Sequence, residues 1–206
     1  MYKKPIIVFE GIEGSGKTSH LNFVSKYLKK KNIKYLKIRE PGGNKNSEKI
    51  RNLILDKKIN FNRNTDLLLY LAARSENIEL IKKNFKKKVI LIDRFVDSTI
   101  AYQHYGFGVN LKLIKTINKY LIKDIKVNFT FLNIVNKKNM ITRIKKRKIL
   151  NRYDKFSFHF YKKVQDGFLK LSKEKNRNYQ IIDSNLDILL NKKIILSKID
   201  KLIYGN

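Results

Sequence analysis

Gly11-Ile12-Glu13-Gly14-Ser15-Gly16-Lys17-Thr18 sets three glycines ahead of a lysine and a hydroxyl. That spacing is a P-loop. Its glycines let successive backbone N–H groups turn inward on an anion, Lys17 reaches the β/γ-phosphates, and Thr18 ligates Mg²⁺. The loop follows the apolar run Ile6–Phe9 and opens a helical pattern, whose N-terminus adds partial positive charge. A dinucleotide fingerprint would need a glycine where Ser19 stands, so that reading is rejected. Residues 11–18 are therefore expected to hold a nucleotide's phosphates. Glu13 is out of character, because a carboxylate inside the loop repels the ligand. A sugar hydroxyl of a second substrate, donating to it, would compensate.

The elements that must position this loop are also visible. Ile6–Phe9, Tyr35–Ile38, Val89–Ile92, Val127–Leu132 and Tyr179–Ile182 read as strands, apolar throughout as parallel strands covered on both faces should be. Leu21, Val24 and Leu28 share one helix face; Ile50, Leu53 and Ile54 mark a second helix, and 65–83 is long enough for a third. Strands alternating with helices make βαβ units, so the fold expected is α/β, a five-stranded parallel sheet with helices on both faces. No repeat or linker divides the chain, and one domain over 1–206 is expected.

Composition bounds the rest. Lys+Arg 47 against Asp+Glu 17 gives a net charge of +30, a balance typical of nucleic-acid or anionic-membrane binders. A nucleic-acid binder would show a basic stripe interleaved with aromatics along one element. Instead the runs Lys29–Lys31, Lys86–Lys88 and Lys145–Lys148 fall at helix ends, turns and a basic segment far apart in the chain. Nucleic acid is accordingly not expected as a partner. With Cys 0, disulfides and thiolate chemistry are excluded and a reducing cytoplasm is the expected compartment. The start, MYKKPIIVFEGIEG, has too short an apolar run for a signal peptide, and no stretch is long enough to span a membrane.

Four ordered motifs carry a resemblance: the P-loop, Arg39-Glu40-Pro41-Gly42-Gly43, Tyr70-Leu71-Ala72-Ala73-Arg74, and a segment from Asp93-Arg94 through Asp97-Ser98-Thr99 to Ala101-Tyr102-Gln103. Together they resemble bacterial thymidylate kinases, from about residue 5 to Asp183. The resemblance implies a P-loop NTPase fold with a short basic lid at about 141–154. It implies transfer of the γ-phosphoryl of ATP, with Mg²⁺, to thymidine monophosphate. Another nucleotide or nucleoside kinase of the same fold is the alternative, and a basic nucleic-acid-binding P-loop protein a remoter one.

By the same resemblance, Tyr70 stacks on the base and Arg74 hydrogen-bonds it. Thr99 and Gln103 read the base edge, and Tyr102 lies beside the sugar, the three expected at i, i+3 and i+4 of one helix face; ordinary helix packing is the competing account of Tyr102. Arg51 and Arg94 hold the acceptor's phosphate, a task suited to planar bidentate donors. Asp93 closes the third strand as a Walker B-like carboxylate on Mg²⁺, and Glu13 lies near the deoxyribose 3′-hydroxyl. The loop has no cation besides Lys17, so catalytic charge must come from the lid. Arg143, Arg147 and Arg152 are its candidates, with Arg143 and Arg147 one helical turn apart and expected to point the same way. Asn133 and Asn151 stand where the family often has acids. A homodimer is implied, through the helices after the P-loop strand units.

Overall fold

The computed structural model describes residues 4–147 and 150–205. Lys148 of the expected lid, and Met1–Lys3 at the start, lie outside the described residues. Five strands form one sheet in the order β2-β3-β1-β4-β5, every neighbouring pair parallel. They are β1 Ile6–Gly11, β2 Tyr35–Arg39, β3 Val89–Asp93, β4 Phe129–Ile134 and β5 Tyr179–Asp183. The helices are α1 Lys17–Lys30, α2 Lys45–Leu55, α3 Arg63–Asn84, α4 Val96–Thr99, α5 Leu111–Ile122, α6 Lys137–Lys145, α7 Phe158–Glu174 and α8 Ile188–Tyr204.

The sheet has a core on each face. On one side Ile7, Phe9, Leu91 and Phe131 pack against Leu21, Val24 and Leu28 of α1 and Ile195 and Ile199 of α8. On the other, Ile6, Val8, Ile90 and Ile92 meet Ile78 and Ile81 of α3. Among the described residues no helix is long and apolar enough to cross a membrane.

Three expectations are corrected. β1, β3 and β4 are buried almost throughout, but β2 and β5, the sheet edges, are each buried at one residue only, Ile38 and Ile182, and half-buried or exposed elsewhere. The fourth strand runs two residues later than expected: Ile7 pairs with Phe129, and the Asn128 side chain, not a strand carbonyl, accepts from Ile6 N at 2.8 Å. Finally, Ile100–Gly106 is a π-helical turn, so Thr99, Tyr102 and Gln103 do not follow α-helical spacing. π-turns are short widenings found preferentially at functional sites.

Candidate active site

At the C-terminal edge of a parallel sheet the strand ends and helix starts converge, and the P-loop spans β1 and α1 there. Two of its glycines are demanded by geometry. A Cβ on Gly11 would sit 2.3 Å from the Asn133 carbonyl oxygen, and Gly16 holds φ 85°. Gly16 is also the N-cap of α1 and brings no side-chain hydrogen bond. The other long helices are capped by Asn44, Asn62, Asn110, Asn136, Ser157 and Asp187. The first-turn N–H groups of α1 are thus left to an anion.

Beside this loop opens a cavity of about 270 Å³. Lys17, Arg39, Arg51, Arg74, Arg94 and Arg147 line it against three carboxylates, Glu13, Glu40 and Asp93. The excess makes it an anion receptor. Lys17 is buried, and its Nζ donates to the Ile12 carbonyl at 3.3 Å. Burial, with Arg94 close by, lowers its pKa to about 8.

The Glu13 carboxylate is compensated within the protein. Arg94 Nη2 donates to it at 2.6 Å and the Tyr102 hydroxyl donates to its other oxygen. Burial would raise its pKa, but the charges of Arg94 and Lys17 outweigh that and hold it below the usual carboxylate value. Arg94 itself adopts φ 67° between Asp93 and Phe95. Such a conformation is unusual for arginine and turns its guanidinium toward the loop.

Thr18 Oγ1 donates to Asp93 Oδ2 at 2.5 Å, while Asp93 Oδ1 is buried with no partner. A hydroxyl and a carboxylate oxygen left over suit a hard cation that takes only oxygen ligands and keeps most of its shell for phosphates and water.

Tyr70, Thr99, Tyr102 and Gln103 all line the cavity. Gln103 is 1% exposed, and both its amide nitrogen and its amide oxygen lack partners. A buried amide left so costs free energy unless a ligand completes it. Arg74 also lines the cavity but is committed elsewhere. It is 2% exposed, pairs with Glu40 at 2.6 Å, donates to Asn118 Oδ1 at 2.5 Å and lies over the Phe95 ring. Arg51 Nη1 donates to the Pro41 carbonyl at 2.7 Å.

The lid arginines diverge, contrary to the expectation of a shared direction. α6 ends at Lys145, so Arg147 lies beyond the helix. Arg143 reaches outside the cavity to the carbonyls of Gly14 at 3.0 Å and Ser184 at 2.6 Å. Arg147 lines the cavity while pairing with Asp154 at 2.6 Å. Arg152 is absorbed by an ion pair with Asp66. Asn151, standing where the resemblance would put an acid, caps the 3₁₀ turn Arg152–Lys155 and accepts from Tyr153 N.

Sequence reasoning did not single out Glu10, Glu40 or Phe95. Glu10 carried a signal, a lone acid in an apolar strand; Glu40 lay inside a recognised motif; Phe95 carried none.

Comparison with known proteins bears directly on this arrangement. Residues 9–195 match the family model described as thymidylate kinase. A thymidylate kinase of Thermosipho africanus is 41% identical over 184 residues, covering 88% of this chain and 90% of that protein. One of Thermoanaerobacter sp. strain X514 is 34% identical and covers 97% and 98%. The crystal structure of thymidylate kinase from Ehrlichia chaffeensis superposes with a TM-score of 0.78 at 31% identity, over 97% of this chain and 99% of that one. The likeness thus spans the residues of the loop and of the arginine-rich cavity, and the chain belongs to the thymidylate kinase family.

Proposed function

We infer that this chain phosphorylates thymidine monophosphate to the diphosphate, with ATP as donor and Mg²⁺ as the metal. One observation carries the reading. A single cavity joins a phosphate-binding loop to a row of arginines and to an amide, Gln103, whose donor and acceptor are both unspent.

In this reading ATP's phosphates occupy the loop from Gly11 to Thr18. Lys17 leaves the Ile12 carbonyl for the β/γ-phosphates. Thr18 and Asp93 would hold Mg²⁺, which when bound draws charge from the phosphate oxygens. The acceptor enters with its phosphate toward Arg51 and Arg94 and its base toward Tyr70, Thr99 and Gln103. Arg94 trades Glu13 for that phosphate, freeing a carboxylate to accept from the sugar hydroxyl beside Tyr102. Arg74 contributes by fixing the cavity wall through Glu40 and reaches the base with whatever donor capacity those bonds leave. Arg147 is the lid cation already in the cavity, and it supplies charge to the transferring group. Arg143 steadies the loop backbone from behind. No base is needed, since the acceptor is already an anion and positioning with charge stabilisation carries phosphoryl transfer.

A coupled assay of ADP formation across thymidine, uridine, cytidine, adenosine and guanosine monophosphates tests this. Turnover should depend on the thymidine nucleotide; faster turnover with a purine acceptor would sink the reading. The working form in this reading is a cytoplasmic homodimer; Leu53 on α2 and Leu68 on α3, which are 47% and 56% exposed, support the pairing.

A further inference from the structure

Lysines scattered in sequence are gathered by the topology. In a parallel sheet every strand starts at the same end, and the crossover helices finish there. In spatial order the five strands are preceded by Lys34, Lys88, Lys4, Lys126 and Arg177, one cation ahead of each. The register aligns them: Tyr35 pairs with Val89, Ile6 with Ile90, Ile7 with Phe129 and Thr130 with Tyr179. Strands about 4.8 Å apart make this a rim roughly 20 Å long. Lys88 is partly buried, and the other four are exposed.

Around the rim lie Lys29–Lys31 at the end of α1 and Lys82, Lys83, Lys86 and Lys87 at the end of α3. Lysines in a last helical turn are accounted for by the helix dipole. Lys34, Lys88, Lys4 and Lys126 lie outside helices, so that account does not reach them. Acids here are few: Asp124 and Glu174 are exposed, Asp97 is paired with Lys175, Glu79 with Lys82, and Asp200 accepts from Tyr27. None of the ion pairs among the described residues involves the five rim cations.

We propose that this rim, at the end of the sheet opposite the nucleotide cavity, is a binding surface for single-stranded nucleic acid. Aromatics beside it favour that over a lipid surface. Tyr120 is 69% exposed with Lys123 5.4 Å from its ring, and Tyr204 is 55% exposed. Exposed tyrosine faces stack bases while lysines track the backbone. Leu113, Leu186, Ile188 and Leu189, exposed apolar side chains that could enter a bilayer, sit at helix starts or just ahead of them, at the other end. β1 has 6 residues, so the rim is roughly 20 Å from the P-loop at about 3.3 Å per residue.

The test is fluorescence anisotropy of a labelled 20-nucleotide single-stranded RNA of mixed sequence, titrated at several salt concentrations. Binding should persist with saturating ATP and thymidine monophosphate. Its log K should fall with log salt at a slope of about −3.5, five cations at about −0.7 each. The variant Lys34→Glu/Lys88→Glu/Lys126→Glu should bind at least about tenfold more weakly with a slope shallower by about 2, and keep its kinase rate. Lys112→Glu/Lys115→Glu/Lys163→Glu, of equal charge change on other exposed surface, should keep RNA binding. Equal loss in both triple variants, displacement by the nucleotides, or pelleting with phosphatidylglycerol vesicles in place of RNA binding would each overturn the proposal.

Discussion

Arg94 and Glu13 form an ion pair at 2.6 Å across the lip of the phosphate-binding loop, although the two residues are 81 positions apart. The Tyr102 hydroxyl closes the same carboxylate from its other side. Each side chain is about 15% exposed or less, so the pair is partly screened and can be opened by a competing anion. Arg94→Ala should therefore do two things. It should lower kcat/KM for thymidine monophosphate by about 10²- to 10³-fold, the usual loss for one preorganised donor. It should also destabilise the chain, because Glu13 is stranded among buried groups. The double variant Arg94→Ala/Glu13→Gln should recover the stability in urea unfolding while leaving activity low. Recovery of both would show that Arg94 serves the fold alone.

Gln103 predicts the opposite pattern. Its amide has no internal partner, so Gln103→Leu removes a buried unsatisfied group and should leave stability unchanged or raise it. KM for thymidine monophosphate should rise about tenfold or more, since one hydrogen-bonded edge is worth roughly 1–3 kcal/mol. Discrimination between thymidine and cytidine monophosphates should narrow as well. A fall in unfolding midpoint with unchanged KM would place Gln103 in the core and not at the base.

Arg74 contrasts with it because its guanidinium is spent on Glu40 and Asn118. Arg74→Ala leaves Glu40, 4% exposed in its side chain, without a counter-ion; breaking one side of a buried pair costs about 3–5 kcal/mol. The expected result is a large shift in the urea midpoint, of a size that makes the variant uninformative about base recognition on its own. Arg74→Met/Glu40→Gln should restore much of that stability, and its KM then measures what the arginine does for the ligand.

The three lid arginines should separate in kinetics. Arg147→Ala should cut kcat by about 10³ if it supplies charge to the transferring phosphoryl group. Arg143→Ala should act on the KM for ATP, because its contacts are the Gly14 and Ser184 carbonyls behind the loop. Arg152→Ala should appear chiefly as lost stability, through the buried Asp66 it leaves behind. Equal effects from all three would mean that the arrangement of contacts does not govern their roles.

What could be read from the chain alone tracks how local the physics is. The loop from Gly11 to Thr18 was legible because its spacing and flanking strand are local and its backbone geometry admits few residues. The sheet was legible from five apolar runs. Which strands lie at the edges was not, because β2 and β5 are edges only through the order of the whole sheet. The divergence of Arg143 and Arg147 was hidden for a local reason, the end of α6 at Lys145 amid lysines that mask any stop signal. The partner of Glu13 was hidden for a global one: Arg94 reaches it through an unusual backbone angle just past the end of β3, far away in the chain. The basic rim is the extreme case, since its four lysines and one arginine share nothing in sequence but their place ahead of a strand.

Glu10 yields a prediction in pH. Burial, with Asp97 nearby, pushes its carboxyl up from 4.5 to about 7, against hydrogen bonds from Ser98 and Phe95. It accepts from Phe95 N at 2.8 Å, Ser98 N at 3.2 Å and Ser98 Oγ at 2.5 Å, so it holds the turn that carries Arg94. Between pH 4.5 and about 7 the folded chain keeps a proton the unfolded chain has released. The contribution to stability is thus complete below pH 4.5 and is lost as pH rises through 7. At about 1.4 kcal/mol per unit the loss amounts to roughly 3 kcal/mol. Other acids titrate too, Glu13 and Glu48 with the opposite sign since their values are lowered, so the measurement is a difference. Urea unfolding of the unaltered chain and Glu10→Gln, from pH 5 to pH 8, should show the variant gaining relative stability as pH increases. A difference that stays flat across that window would mean Glu10 is ionised throughout and that its three donors, not burial, set its charge.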